Sequence, residues 1–148
     1  MEEDNGITAW IRDLAVLARE SVNAQRRVAE VMQDQPAADS LNRLAGEHEA
    51  LVDELDSAIW NRGALTSMPD ADLETLRDLR AHFETFVHLS EPEDLLRRCR
   101  ETEAKLSAAA AEVTRITHAP ADLVDIAARL EQEAEEASLE IDRLLQRM

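Results

Sequence analysis

A helical unit occurs twice in this chain, about 82 residues apart, and this spacing restricts the fold more than any other feature. Residues 13–31, DLAVLARESVNAQRRVAEV, echo residues 94–113, DLLRRCRETEAKLSAAAAEV, when one residue is allowed to slip. Residues 41–59, LNRLAGEHEALVDELDSAI, echo residues 123–141, LVDIAARLEQEAEEASLEI. In the second pair Leu44 falls opposite Ile126, Ala45 opposite Ala127, Asp53-Glu54 opposite Glu135-Glu136, and Ile59 opposite Ile141. The expected fold is all-α. Two repeated helical hairpins, residues 7–62 and 93–148, are joined by a long crossover over residues 63–92, which makes a four-helix bundle in a single domain spanning 1–148.

Composition fits such a bundle. At 148 residues the chain is long enough for one domain with a substantial core. Aromatic residues make up only 3%, so the core must be built from Leu, Ala, Val and Ile. With three Gly and four Pro there are few breaks, which favours long helices. The formal net charge is −16, and a surface of that sign repels phosphate backbones and anionic lipid. No nucleic-acid or membrane partner is therefore expected. The single cysteine, Cys99, excludes an intramolecular disulfide. No apolar run approaches the roughly 20 residues that span a bilayer. The acidic start MEEDNG lacks a signal-peptide pattern, so the expected location is cytoplasmic.

Apolar spacing predicts four long helices and a shorter one. The first covers about 7–33, with Trp10, Leu14, Leu17, Ser21, Ala24, Val28 and Val31 as its stripe and Ile11 and Ala18 widening it. Asp34-Gln35-Pro36 ends it. The second starts at Pro36 and runs through Leu41, Leu44, His48, Leu51, Leu55 and Ala58 to about Asn61, with Gly63 as its C-terminal cap. Within the crossover, Pro69-Asp70 opens an amphipathic stretch with Leu73, Leu76, Leu79, Phe83 and Phe86 at helical spacing. Both phenylalanines of the chain lie there, so this segment should pack on the bundle or present an apolar face to a partner helix. Ser90-Glu91-Pro92-Glu93 reads as a capping box opening a helix over about 91–117, with Leu95, Cys99, Thr102, Leu106, Ala109, Val113 and Ile116 as its stripe. The last helix covers about 121–146, with Leu123, Ile126, Leu130, Ala134, Ala137, Ile141 and Leu144 facing inward.

The layout resembles the ferritin-like superfamily, and particularly the bacterial YciF-type stress-protein group. That group carries a Cys-Glu-Arg-Gly-Glu-Asp run followed by a downstream tyrosine. Here the run reads Cys99-Arg100-Glu101-Thr102-Glu103-Ala104, Ala110 stands where the tyrosine would fall, and only Cys99 and Glu103 match. Metal-binding members hold two irons or manganeses between the helices. One Glu comes from each of two helices, and a Glu-x-x-His from each of the other two, because residues three apart share a face. The resemblance puts Glu20 and Glu103 at the single-carboxylate positions. The paired motif fails. Ala45, not Glu, stands three residues before His48, and Glu133-x-x-Glu136 has no His. The chain has no Tyr to stand near a metal.

The candidate metal ligands are therefore Glu20, His48, Glu103, Glu133 and Glu136, and iron or manganese is what such a carboxylate-rich set would take. For His48 the competing reading is a core-edge histidine hydrogen-bonded to a neighbour, and for Glu133 a solvated side chain. His82, Glu84 and His88 on the crossover helix point to water. Cys99 reads as a small buried hydrophobe, since no histidine lies within a helical turn. Trp10 and Trp60 should lie near one end of the bundle, as core caps or as a dimer contact. No phosphate loop, dinucleotide glycine pattern or nucleophile elbow occurs. The expectation is a non-enzymatic, homodimeric, ferritin-like bundle with a degenerate metal centre and no required cofactor. The alternatives are a di-metal protein or weak oxidase, and a helical adaptor working through its crossover helix.

Overall fold

The computed structural model describes residues 2–61 and 70–148, and the described chain is helical with short connections. The helices are α1 (Glu2–Val31), α2 (Gln35–Asn61), α3 (Asp70–Leu89), α4 (Pro92–Thr114) and α5 (Ala121–Gln146). Gly63 and Pro69 lie outside the described residues, as do the side chains of Leu73 and Leu76.

Several boundaries differ from the sequence expectation, beginning with α1, which starts at Glu2 rather than about residue 7. The capping box at Ser90 does not form: the N-cap of α4 is Glu91, in extended conformation, with no side-chain cap bond. Pro92 opens the helix, where its missing N–H costs nothing. Glu93 and Asp94 place negative charge against the positive end of the helix dipole. At the other end α4 stops at Thr114 rather than about residue 117, and the Thr114 hydroxyl donates back to the Ala111 carbonyl at 2.7 Å.

α1, α2, α5 and α4 pack in a ring, each against the next, with α4 closing on α1. Ion pairs fix the directions. Arg19 pairs with Asp56 and Arg26 with Glu49, so seven residues forward on α1 match seven back on α2. Arg129 pairs with Glu54 and Arg43 with Glu140, an eleven-residue step in opposite senses on α5 and α2. The start of α4 lies beside the end of α1, where Met32, Pro92 and Leu95 line one cleft. Neighbours in the ring therefore run antiparallel. α3 packs along α1, tied to it by Arg27 Nε donating to Glu84 at 2.7 Å.

The buried face of α5 is the stripe its sequence predicts: Leu123, Ile126, Leu130, Ala134, Ala137, Ile141 and Leu144 are all buried. α1 is rotated from its predicted stripe. Trp10 and Val31 are exposed, Leu17 is half-buried, and the second inward row is Ile11, Ala18, Gln25 and Met32. Trp10 and Trp60 are 43% and 64% exposed, so neither caps the core. On α3, Phe83 and Phe86 are half-buried with ring centroids 6.4 Å apart, and with Val87 they pack against the bundle side of the helix.

The apolar core comes in two parts. One holds Leu14, Ala18, Leu51, Leu55, Leu106, Val113, Leu123 and Leu130 among others. The second holds Val28, Met32, Leu41, Leu44, Leu95, Leu96, Cys99, Ile141 and Leu144. Between them, at mid-helix on α1, α2 and α4, lie buried polar residues: Ser21, Gln25, His48, Thr102 and Glu103. Each fully buried leucine contributes about 1.5–3 kcal/mol over an exposed one. Leu130→Ala should therefore lower the unfolding free energy by about 2–5 kcal/mol in urea titration, whereas Leu139→Ala, on the exposed face of the same helix, should change it by less than about 0.5 kcal/mol.

Candidate functional site: a buried polar layer

Glu103 sits at the centre of the layer with none of its surface exposed. An ionised carboxylate in that position is tolerable only if its lone pairs are filled. The Ser21 hydroxyl and the Gln25 side-chain amide, one turn apart on α1, both donate to Glu103 Oε1. From α2, His48 Nε2 lies 2.8 Å from Oε2 and 3.0 Å from Oε1. The other ring nitrogen, Nδ1, lies 3.0 Å from Glu133 Oε2 on α5. All four helices of the ring thus supply a member.

A neutral imidazole has one N–H and one lone pair, yet both nitrogens of His48 face carboxylate oxygens. Only the doubly protonated imidazolium donates to both. The energetics agree. Burial alone would drive the His48 pKa down, but hydrogen bonds and charge from Glu103 and Glu133 outweigh it and raise the value to about 9. The imidazolium then lies between the Glu103 and Glu133 carboxyl groups. Glu133, whose side chain is 24% exposed, reaches the layer from the solvent side.

Of the five residues suggested by sequence as metal ligands, the fold brings together His48, Glu103 and Glu133. Glu20 is half-buried on the outer side of α1, and Glu136 is exposed, accepting a hydrogen bond from Gln132 Nε2 at 3.2 Å. The arrangement does not fit a di-metal centre. Both His48 nitrogens are engaged, and the two carboxylates lie on opposite edges of the ring instead of converging. Among the described residues, no group of three or more His, Cys, Asp or Glu side chains is placed to hold a metal ion.

Two members of the layer were not anticipated as functional. Ser21 lay on the predicted stripe of α1 but carried no role. It lies 82 residues from Glu103, so the contact joins the two halves of the chain, although the match of Arg19-Glu20-Ser21 to Arg100-Glu101-Thr102 makes Thr102 the repeat partner of Ser21. Gln25 lacked any signal, since a lone Gln on an amphipathic helix reads as solvent-facing. Its Oε1 is buried without a hydrogen-bond partner among the described residues. Exchanging the amide's O and N would aim that oxygen at the Glu103 carboxylate, so the observed orientation is the favourable one.

Cys99, one turn before Glu103, is no nucleophile. Burial foremost, then the Glu103 charge, push its thiol up to about 12 against a smaller opposing effect of Arg98. On the surface, Glu84 accepts from Arg27 through Oε1 and lies 3.9 Å from His88 Nε2 through Oε2, while His82 Nδ1 turns away to bond the Asp78 carbonyl at 2.7 Å. No family model, curated protein or solved structure matches the chain.

Unfolded His48 titrates near 6.5 and folded His48 at about 9, so the folded protein holds the extra proton between these values. The stability contributed by this group is complete below about pH 6.5 and is lost as pH rises through about 9, on the order of 3 kcal/mol over that window. Urea titrations at pH 6.5 and 9 should show this fall, and a combined Ser21→Ala, Gln25→Leu, His48→Leu, Glu103→Leu variant should lack it. His48→Ala alone leaves Glu103 buried without its cation and should cost about 3–5 kcal/mol at pH 7, whereas the combined apolar replacement should be near neutral or stabilising.

Proposed function

We propose that the chain is a ferritin-like four-helix bundle without enzymatic activity, in which the His48 imidazolium occupies the role that metal cations have in metal-binding members of that superfamily. The antiparallel ring of four helices and the helix along its side support the architectural part. The observation that carries the functional part is the engagement of both His48 nitrogens by carboxylates from two different helices. A protein-borne cation neutralises the buried acid, so the layer needs no iron or manganese and offers none an open position.

With no substrate-accessible nucleophile or acid–base pair in this layer, the reading is of a protein that acts through contacts, as a homodimer or with a protein partner, in a stress-related setting of the kind the YciF-type group suggests. Apolar side chains left on the surface, Trp10, Trp60, Leu89 and Leu139, support contact-based action.

Metal content decides between this reading and the di-metal one. Untagged protein is loaded anaerobically with Fe(II) or Mn(II), desalted and measured by mass spectrometry beside Glu103→Ala. No metal above the buffer level is expected in either. About one or two metals per chain in the wild type, lost in Glu103→Ala, would overturn the proposal and make oxygen chemistry the function to assay.

A further inference from the structure

Three arginines from three different helices meet at one cavity, in a chain with 32 acidic residues against 16 basic ones. The cavity is about 300 Å³ and lies between α1, α3 and α4, on the outer side of the seam whose inner side holds the polar layer. The two sites adjoin at the buried Thr102 and alternate along the helices: Glu20, Ala24 and Thr102 line the cavity while Ser21, Gln25 and Glu103 form the hydrogen-bonded layer.

Its lining divides by chemistry. Ala24, Leu79 and Phe83 form an apolar surface. Arg27 and Glu84, paired at 2.7 Å, neutralise each other across α1 and α3. That leaves Arg80 and Arg98 against Glu20. Arg98 has only a 3.8 Å contact with Glu101, whose side chain is 66% exposed, and Arg80 makes no ion pair among the described residues. Among the lining side chains three arginines face two carboxylates, with Glu30 and Glu101 reaching Arg27 and Arg98 from outside the cavity, so the free guanidinium of the lining, among the described residues, is that of Arg80, and a planar guanidinium suits a carboxylate. A dianion such as phosphate would face Glu20 and Glu84 without matching charge. The volume is at the lower end of the roughly 300–1,000 Å³ typical of ligand pockets, which is too small for a peptide helix.

We propose that this cavity is a binding site for a small carboxylic acid with an apolar body, its carboxylate held by Arg80 and Arg98 and its apolar part against Leu79, Phe83 and Ala24. The site is independent of the reading given to His48.

Octanoate is the probe, titrated by calorimetry into the full chain, with octanol and inorganic phosphate as comparison ligands and amide NMR shifts to locate the site. Octanoate should bind saturably at one site, with shifts concentrated in residues 20–27, 79–84 and 98–102. Loss of the charge-assisted contact should weaken binding about tenfold or more, both for octanol and in Arg80→Glu. Arg80 is exposed, so that variant keeps its fold, which circular dichroism verifies. Arg143→Glu, an exposed change on α5, should bind octanoate as the wild type does. Equal binding of octanol, preference for phosphate, unchanged affinity in Arg80→Glu, absence of saturable binding, or shifts centred elsewhere would each overturn the proposal.

Discussion

Neutralising the Glu103 charge is the condition on which the packing of the four long helices rests. The carboxylate has no contact with water, and leaving such a group unpaired costs several kcal/mol, a large share of a typical domain's net stability. Its partners come from other helices: two from α1 and one from α2, with α5 holding the far side of the imidazole. Apolar packing of Leu against Ala is tolerant of axial displacement. The polar layer is not, because sliding one helix by a turn, about 5.4 Å, would separate a donor from the carboxylate. The layer therefore sets register, while the apolar clusters on either side supply the stabilising burial.

The layer joins the two halves of the chain. Ser21 of the first half and Glu103 of the second lie face to face where α1 meets α4. A symmetric pair of carboxylates at that point would repel without a cation between them. Here one half contributes a hydroxyl and the other an acid, and the imidazolium arrives from a neighbouring helix.

The helices of this fold were legible in sequence where the apolar pattern was unbroken. Every residue of the predicted α5 stripe is buried, because Leu, Ile and Ala occupy it without interruption. On α1 the true second row reads Ile11, Ala18, Gln25, Met32, and the polar Gln25 disguised it. The row Trp10, Leu17, Ala24, Val31 was more hydrophobic, yet two of its four members face solvent. The same Gln hid part of the site. His48 stood out because a polar residue interrupted an otherwise aliphatic face, and Glu103 because it was one of two residues that agreed with an otherwise unmatched run. Which of the five candidate residues would converge depended on helix rotation, which spacing alone does not fix to better than one position. Ser90 failed as a cap for a related reason: Pro92 begins the helix one residue later than the capping pattern requires.

The crossover helix belongs to this arrangement. α3 covers the α1–α4 seam from outside, with Phe83 and Phe86 turned toward the core and its arginine beside a cavity that backs on the buried layer. The account stands or falls on the charge state of His48, and nitrogen NMR of the imidazole ring reads it directly. Both ring nitrogens should carry protons at pH 8, with deprotonation only near pH 9. A neutral ring with one bare nitrogen at pH 7 would contradict the account, since that nitrogen would then face a carboxylate without a proton between them, and the cation on which the buried charge depends would be absent.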